Sequence, residues 1–213
     1  MIFFRPCRRG RPKTASMQAT VSPRNTHGPV AVRMWGRTVD WLAQNITRYG
    51  GDPKRIFLLG HSAGATHAAT WTFMKMIHGA NGPGVAGVML ISGVYAALHP
   101  QFSSDTPRPN QFAYYGSEVD KWAAMAPFGH IEPGHPPAFI IASEHEPYYF
   151  SWPSVALLGA LVRCDRRMPW HKFLPGHNHV SSALQINSEV DTLGPDLLQF
   201  IERAGQISEA SNA

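Results

Sequence analysis

Arg55-Ile56-Phe57-Leu58-Leu59-Gly60-His61-Ser62-Ala63-Gly64 decides the reading of this chain. An apolar run of strand type ends in Gly-His-Ser-Ala-Gly, and a helical run of small residues follows at once. The pattern G-x-S-x-G marks a sharp strand-to-helix turn that holds a serine hydroxyl above the end of a sheet. Such a turn is crowded, and Gly60 and Gly64 leave room because they lack a Cβ. Ser62 is the candidate nucleophile. The Ala63 N–H, at the start of the helix, is a candidate donor to an oxyanion.

Working outward, helix and strand patterns alternate from Arg37 onward. Val39, Leu42, Ile46 and Tyr49 recur at helical spacing, so 37–49 reads as an amphipathic helix. Gly50-Gly51-Asp52-Pro53 stops it. Ile56–Leu59, Gly87–Ser92 and Ala138–Ala142 are short apolar runs of the kind buried in a parallel sheet. Residues 63–78 carry one charge, Lys75, and predict a largely buried helix. Residues 94–115 read as a loop or cap segment and 117–125 as a short helix. A helix is expected within 153–164, a strand within 168–174, and a last helix opening at Gly194-Pro195. Repeated strand–helix units imply a mostly parallel sheet covered on both faces.

A serine nucleophile needs a base, and the base an orienting acid. In this turn's usual setting the chain order is Ser, acid, His. Glu144-His145-Glu146-Pro147 follows the third apolar strand, and Gly176-His177-Asn178-His179-Val180 precedes the final helix. Each holds the right chemistry in the right order.

With Tyr49-Gly50-Gly51-Asp52-Pro53, Gly60-His61-Ser62-Ala63-Gly64-Ala65 and Asp191-Thr192-Leu193-Gly194-Pro195, these motifs make residues 37–205 resemble the C-terminal part of an α/β-hydrolase. The resemblance is to the bacterial carboxylesterase group, near hormone-sensitive-lipase-like esterases and kynurenine-formamidase-like hydrolases. It implies an α/β-hydrolase fold lacking its N-terminal strands, and hydrolysis of small carboxylic esters. It selects Glu146 as the acid, over the rival Glu144, and His179 as the base, over the rival His177. The family usually carries Asp at the position of Glu146. The alternatives are an arylformamidase acting on N-formylkynurenine-like amides and, in another class, a non-catalytic fragment. His61 fills the variable elbow position, and His67 and His78 read as core or rim residues. A metal site assembled from His171, His177, His179, Glu144 and Glu146 has no supporting ligand spacing. No metal or cofactor is expected.

Composition bounds the partners. The net charge of +5 comes from residues 1–24, which hold Arg5, Arg8, Arg9, Arg11, Lys13 and Arg24 and no acid. The remaining 13 basic and 14 acidic residues nearly cancel, which argues against nucleic acid. No apolar run approaches the ~18 residues of a membrane span. Two cysteines, Cys7 and Cys164, fit a reducing, cytoplasmic setting.

Residues 1–36 lack acids, hydrophobic periodicity and the family's His-Gly-Gly-Gly oxyanion motif; His27-Gly28 precedes Pro29 instead. One permitted codon choice for Val21–Gly36, read one base earlier, gives RLAPEHPWPSGSADVG in one-letter code. That resembles the segment these esterases carry before the elbow. The expectation is therefore a non-native or disordered, frameshifted segment over 1–36, a hydrolase domain over 37–205 and a flexible tail over 206–213. With the donor loop missing, activity is expected to be impaired.

Overall fold

The computed structural model describes residues 16–17, 28–78, 82–96 and 109–210. Five parallel strands lie in sequential order: β1 (Ser16–Met17), β2 (Phe57–His61), β3 (Gly87–Ile91), β4 (Ala138–His145) and β5 (Trp170–Asn178). The helices are α1 (Gly28–Asn45), α2 (Ala63–Phe73), α3 (Pro109–Tyr115), α4 (Trp122–Met125), α5 (Tyr148–Asp165), α6 (Ser181–Leu184) and α7 (Gly194–Ala210).

Strand alternation sorts the core into two layers. Leu58, Val88, Leu90, Ala138 and Ile140 face α1, α2 and α5, where Trp35, Val39, Ala68, Leu157 and Leu161 meet them. Phe57, Met89, Ile91, Phe139 and Ile141 face the opposite way, onto Leu193, Leu197, Phe200 and Ile201 around α7. Both faces of the central strands are thus buried, which is why these strands are continuously apolar in sequence. Among the described residues β5 is an edge strand: Phe173 is exposed, and Pro175 is tolerated there because an edge strand can spare an N–H.

The order of the central strands and of the long helices follows the sequence reading, with differences at boundaries and in the short elements. The first helix begins at Gly28, nine residues before the expected start at Arg37. Val32 and Trp35 extend the same stripe as Val39, Leu42 and Ile46 at spacings of 3, 4, 3 and 4, and both are buried. Residues 28–36 are helical and Ser16–Met17 pair with β2, so regular structure extends across the expected boundary at 36/37. Gly36 lies against the Trp71 ring, where a Cβ would come within 2.6 Å of it. The remainder of the 1–36 expectation, apart from Ser16–Met17, lies outside the described residues. The tail also starts later than expected, since α7 continues to Ala210. Residues 94–115, read as a loop or cap segment, contain α3. β4 runs three residues past Ala142 and carries Glu144 in its last turn of pleat.

Candidate active site

The site stands at the C-terminal ends of β2, β3, β4 and β5. At the end of β2, Ser62 has φ 56° and ψ −125°, a conformation costly for a residue with a side chain. Backbone crowding enforces this turn. A Cβ on Gly60 would stand 2.4 Å from the Gly64 carbonyl oxygen and 2.6 Å from Ala65 backbone atoms. Ser62 continues the ladder by donating its N–H to Ile91 O at 2.9 Å. Ala63 opens α2, so its N–H has no acceptor within the helix and is open to an external one.

His179 sits in the loop between β5 and α6. Asn178 shapes that loop: its Oδ1 accepts from the N–H groups of Val180 at 3.0 Å and Ser181 at 2.9 Å. Ser181 Oγ in turn accepts from Asn178 N–H at 2.9 Å. This exchange of side-chain and backbone bonds is a local turn that fixes where the next side chain points. His179 Nε2 stands 3.0 Å from Ser62 Oγ. The His179 carbonyl accepts two bonds, from Ser182 Oγ at 2.9 Å and from His61 Nε2 at 2.7 Å. The second requires His61 in the Nε2–H form. Burial, the largest influence, lowers the His61 pKa and favours the neutral ring.

Glu146 follows β4, whose register against β5 shifts between Ser143 and His145. Such an irregularity re-aims the side chains beyond it. The Glu146 side chain is fully buried, and its Oε1 lies 3.6 Å from His179 Nδ1, an ion-pair distance longer than a hydrogen bond. The same oxygen accepts a short bond from Ser92 Oγ.

The rivals lie elsewhere. Glu144 is half exposed and accepts the Gly176 N–H at 2.7 Å. His177 Nδ1 contacts Ser181 Oγ at 3.2 Å. His67 is buried with Tyr114 Oη 2.9 Å from its Nδ1, and burial lowers its pKa to about 4. Ser62, His179 and Glu146 are thus brought into one connected line, while Glu144, His177, His67 and His78 are not part of it.

Two further residues reach the site. Ser92 follows β3 as Ser62 follows β2, with the same φ of 56°. Ile91-Ser92-Gly93 could have signalled it, being a second strand ending in Ser-Gly. Phe150 stacks on the His179 ring at 3.9 Å between centroids and 13° between planes. Its cluster, Tyr148 to Trp152, opens α5, and nothing in that pattern marks which ring meets the imidazole. Asp191, which belongs to the terminal motif, serves the fold: its Oδ1 accepts from Leu193 N at 3.0 Å and Gly194 N at 2.6 Å, capping α7.

A sequence model of the Carboxylesterase family matches residues 36–109. Esterase LipQ of Mycobacterium tuberculosis (strain ATCC 25618 / H37Rv) is 28% identical over 176 residues, which are 77% of this chain and 41% of that protein. The chain thus spans about two-fifths of the length of this curated relative. Among solved structures, esterase B from Lactobacillus Rhamnosis (HN001) superposes with a TM-score of 0.69 at 16% identity, covering 92% of this chain and 67% of that one. A truncated form of a carbohydrate esterase from gut microbiota gives 0.68 at 16% identity, with 87% and 72% covered. Esterase 2 of Thermogutta terrifontis phosphonylated by sarin gives 0.56 at 19% identity, with 71% and 57% covered. The fold is that of the α/β-hydrolases. Among the described residues, no helix is long and apolar enough to cross a membrane.

Proposed function

We propose that this α/β-hydrolase is a serine esterase acting on small carboxylic esters, with Ser62 as nucleophile, His179 as base and Glu146 as orienting acid. The observation that carries the reading is the 3.0 Å contact from Ser62 Oγ to His179 Nε2 with a fully buried carboxylate on the other ring nitrogen. Ser62 Oγ attacks the ester carbonyl while His179 Nε2 takes its proton. Glu146 stabilises the imidazolium, and the Ala63 N–H meets the oxyanion. His179 then protonates the departing alcohol, leaving an acyl group on Ser62. A water molecule, deprotonated by His179, releases the carboxylic acid and restores the hydroxyl.

The esterases named above support the reaction class and give no support to the formamidase alternative. The chemistry needs a small-molecule substrate and no cofactor. The sequence supplies one motif-defined oxyanion donor, Ala63. We expect turnover to be slow for that reason, since loss of one donor typically costs about 10²–10³ in rate.

The test is a fluorescent alkyl phosphonate probe, which reports an activated serine without requiring turnover. The expected result is one labelled site, lost in Ser62→Ala, and weak hydrolysis of a short p-nitrophenyl ester lost with it. A folded chain that neither labels nor hydrolyses is a non-catalytic protein, and the proposal fails.

A further inference from the structure

A second cluster of reactive side chains lies at the opposite end of the sheet. His135 precedes the first residue of β4, whereas Glu146 follows the last. Cys164 and Asp165 form the C-terminal end of α5. One ligand-type atom from each of His135, Cys164 and Asp165 lies within 4.8 Å of the other two.

The His135 ring is held in a ligating state. Its side chain is 7% exposed, and its edge packs on Phe73 with centroids 5.3 Å apart. Nδ1 is 2.8 Å from the Pro136 carbonyl, which accepts its proton. In the neutral ring the lone pair then belongs to Nε2, the arrangement typical of metal-bound histidines held by a backbone carbonyl. Nε2 is buried and makes no hydrogen bond, although Asp165 Oδ1 is only 3.2 Å away. At that distance an oxygen on the nitrogen's axis would accept an N–H bond, so Oδ1 must lie off the axis. A shared cation accounts for this placement. Two ligand atoms on one tetrahedral zinc, with bonds near 2.0–2.1 Å, stand about 3.3 Å apart, each off the other's axis.

The surroundings favour a cation as well. The last carbonyls of α5 give this end of the helix a partial negative charge. Glu132, nearby, is already paired with Lys75 at 3.0 Å and is not counted as a ligand. Cys164 also borders an open cleft, lined by Phe128, Ile131, Pro133 and the exposed Arg163, through which water can complete the coordination.

We propose that His135, Cys164 and Asp165 form a zinc site that ties the end of α5 to the segment entering β4. Binding places Cys164 on the metal as thiolate and releases its proton to solvent, and a water molecule takes the fourth position. The site is remote from Ser62, so its role is structural and its occupancy leaves the nucleophile's chemistry alone. The donor set of thiolate, imidazole and carboxylate suits zinc better than calcium or magnesium, which prefer all-oxygen shells.

The experiment uses the full chain, stripped of metal and titrated with zinc chloride or cobalt(II) chloride alone. Cobalt should give the visible bands of a tetrahedral ion and a near-ultraviolet thiolate charge-transfer band. Zinc in large excess over its dissociation constant should raise Tm by about 5 °C or more. It should also slow iodoacetamide alkylation of the Cys164 peptide, read by mass spectrometry, by about tenfold, because a bound thiolate is withdrawn from the free pool. All three effects should weaken as pH falls. Cys164→Ser, at a partly exposed position, and Asp165→Asn should remove them while phosphonate labelling of Ser62 persists. The proposal is overturned if cobalt gives no thiolate band. It is equally overturned if zinc stabilises Cys164→Ser as much as the parent, or if Cys164 alkylation ignores zinc. Those results would leave His135 and Asp165 as a buried side-chain contact with no shared ion.

Discussion

Replacing Glu146 by Gln removes one negative charge from beneath His179 while keeping the side chain's shape. The carboxylate is fully buried and its nearer oxygen is 3.6 Å from His179 Nδ1. Two unit charges at that separation interact by about 4–5 kcal/mol at an effective dielectric near 20. Each charge is spread over more than one atom, which reduces the figure to about 3–4 kcal/mol. In the proposed mechanism this charge pair forms as His179 takes the proton from Ser62. It therefore acts on the transition state, and its loss should slow acylation by about 10²–10³-fold. Ser92 Oγ, which donates to the same oxygen, can still donate to the amide oxygen, so the fold should hold. The assay is the second-order rate of Ser62 modification by the phosphonate probe, supported by ester hydrolysis and a thermal melt. Glu144→Gln is the control, because Glu144 binds the Gly176 N–H rather than His179. A Glu146→Gln rate within about threefold of the parent, a difference under about 0.7 kcal/mol, would refute the reasoning. A larger loss in Glu144→Gln would move the acid to Glu144.

His61→Gln retains a donor near the position of Nε2 and should keep most of the labelling rate, whereas His61→Leu leaves the His179 carbonyl with Ser182 alone and should lose about tenfold; equal rates would show that the His61 bond does not position the loop. Trp35→Ala should destabilise the protein by about 3–5 kcal/mol, because Trp35 is 2% exposed within the core facing α2. An unchanged denaturant midpoint would return residues 28–36 to the non-native segment. The buried His67, lowered from 6.5 to about 4, binds fewer protons folded than unfolded across that interval. Its contribution is intact above pH 6.5 and is lost as pH falls towards 4, by up to about 3 kcal/mol. His67→Gln should flatten the stability–pH curve between those values, and urea titrations at several pH values will read it.

The sequence by itself determined the fold class, and the reason is local. Strand 56–59 is apolar at every position because both faces are covered, and Gly60 and Ser62 stand where a strand must turn sharply into a helix. The helical stripe was equally legible. Its two earlier members, Val32 and Trp35, are harder to read, because the basic, acid-free composition of residues 1–36 masks a periodicity that continues through them. Pattern alone did not separate near neighbours: the family resemblance selected Glu146 and His179, and only the tertiary structure supplies the geometry that sets them apart. Glu144 and Glu146 differ by one repeat of a strand's alternation, so pattern puts both on the same face. The register shift at Ser143/His145 then sends Glu146 inward to His179 and leaves Glu144 on Gly176. His177 and His179 are separated in the same way by the Asn178 turn. Ser92, Phe150 and the meeting of His135 with Cys164 and Asp165 depend on strands and helices far apart in the chain coming together. Sequence spacing carries no record of those distances, because packing of side chains across layers sets them.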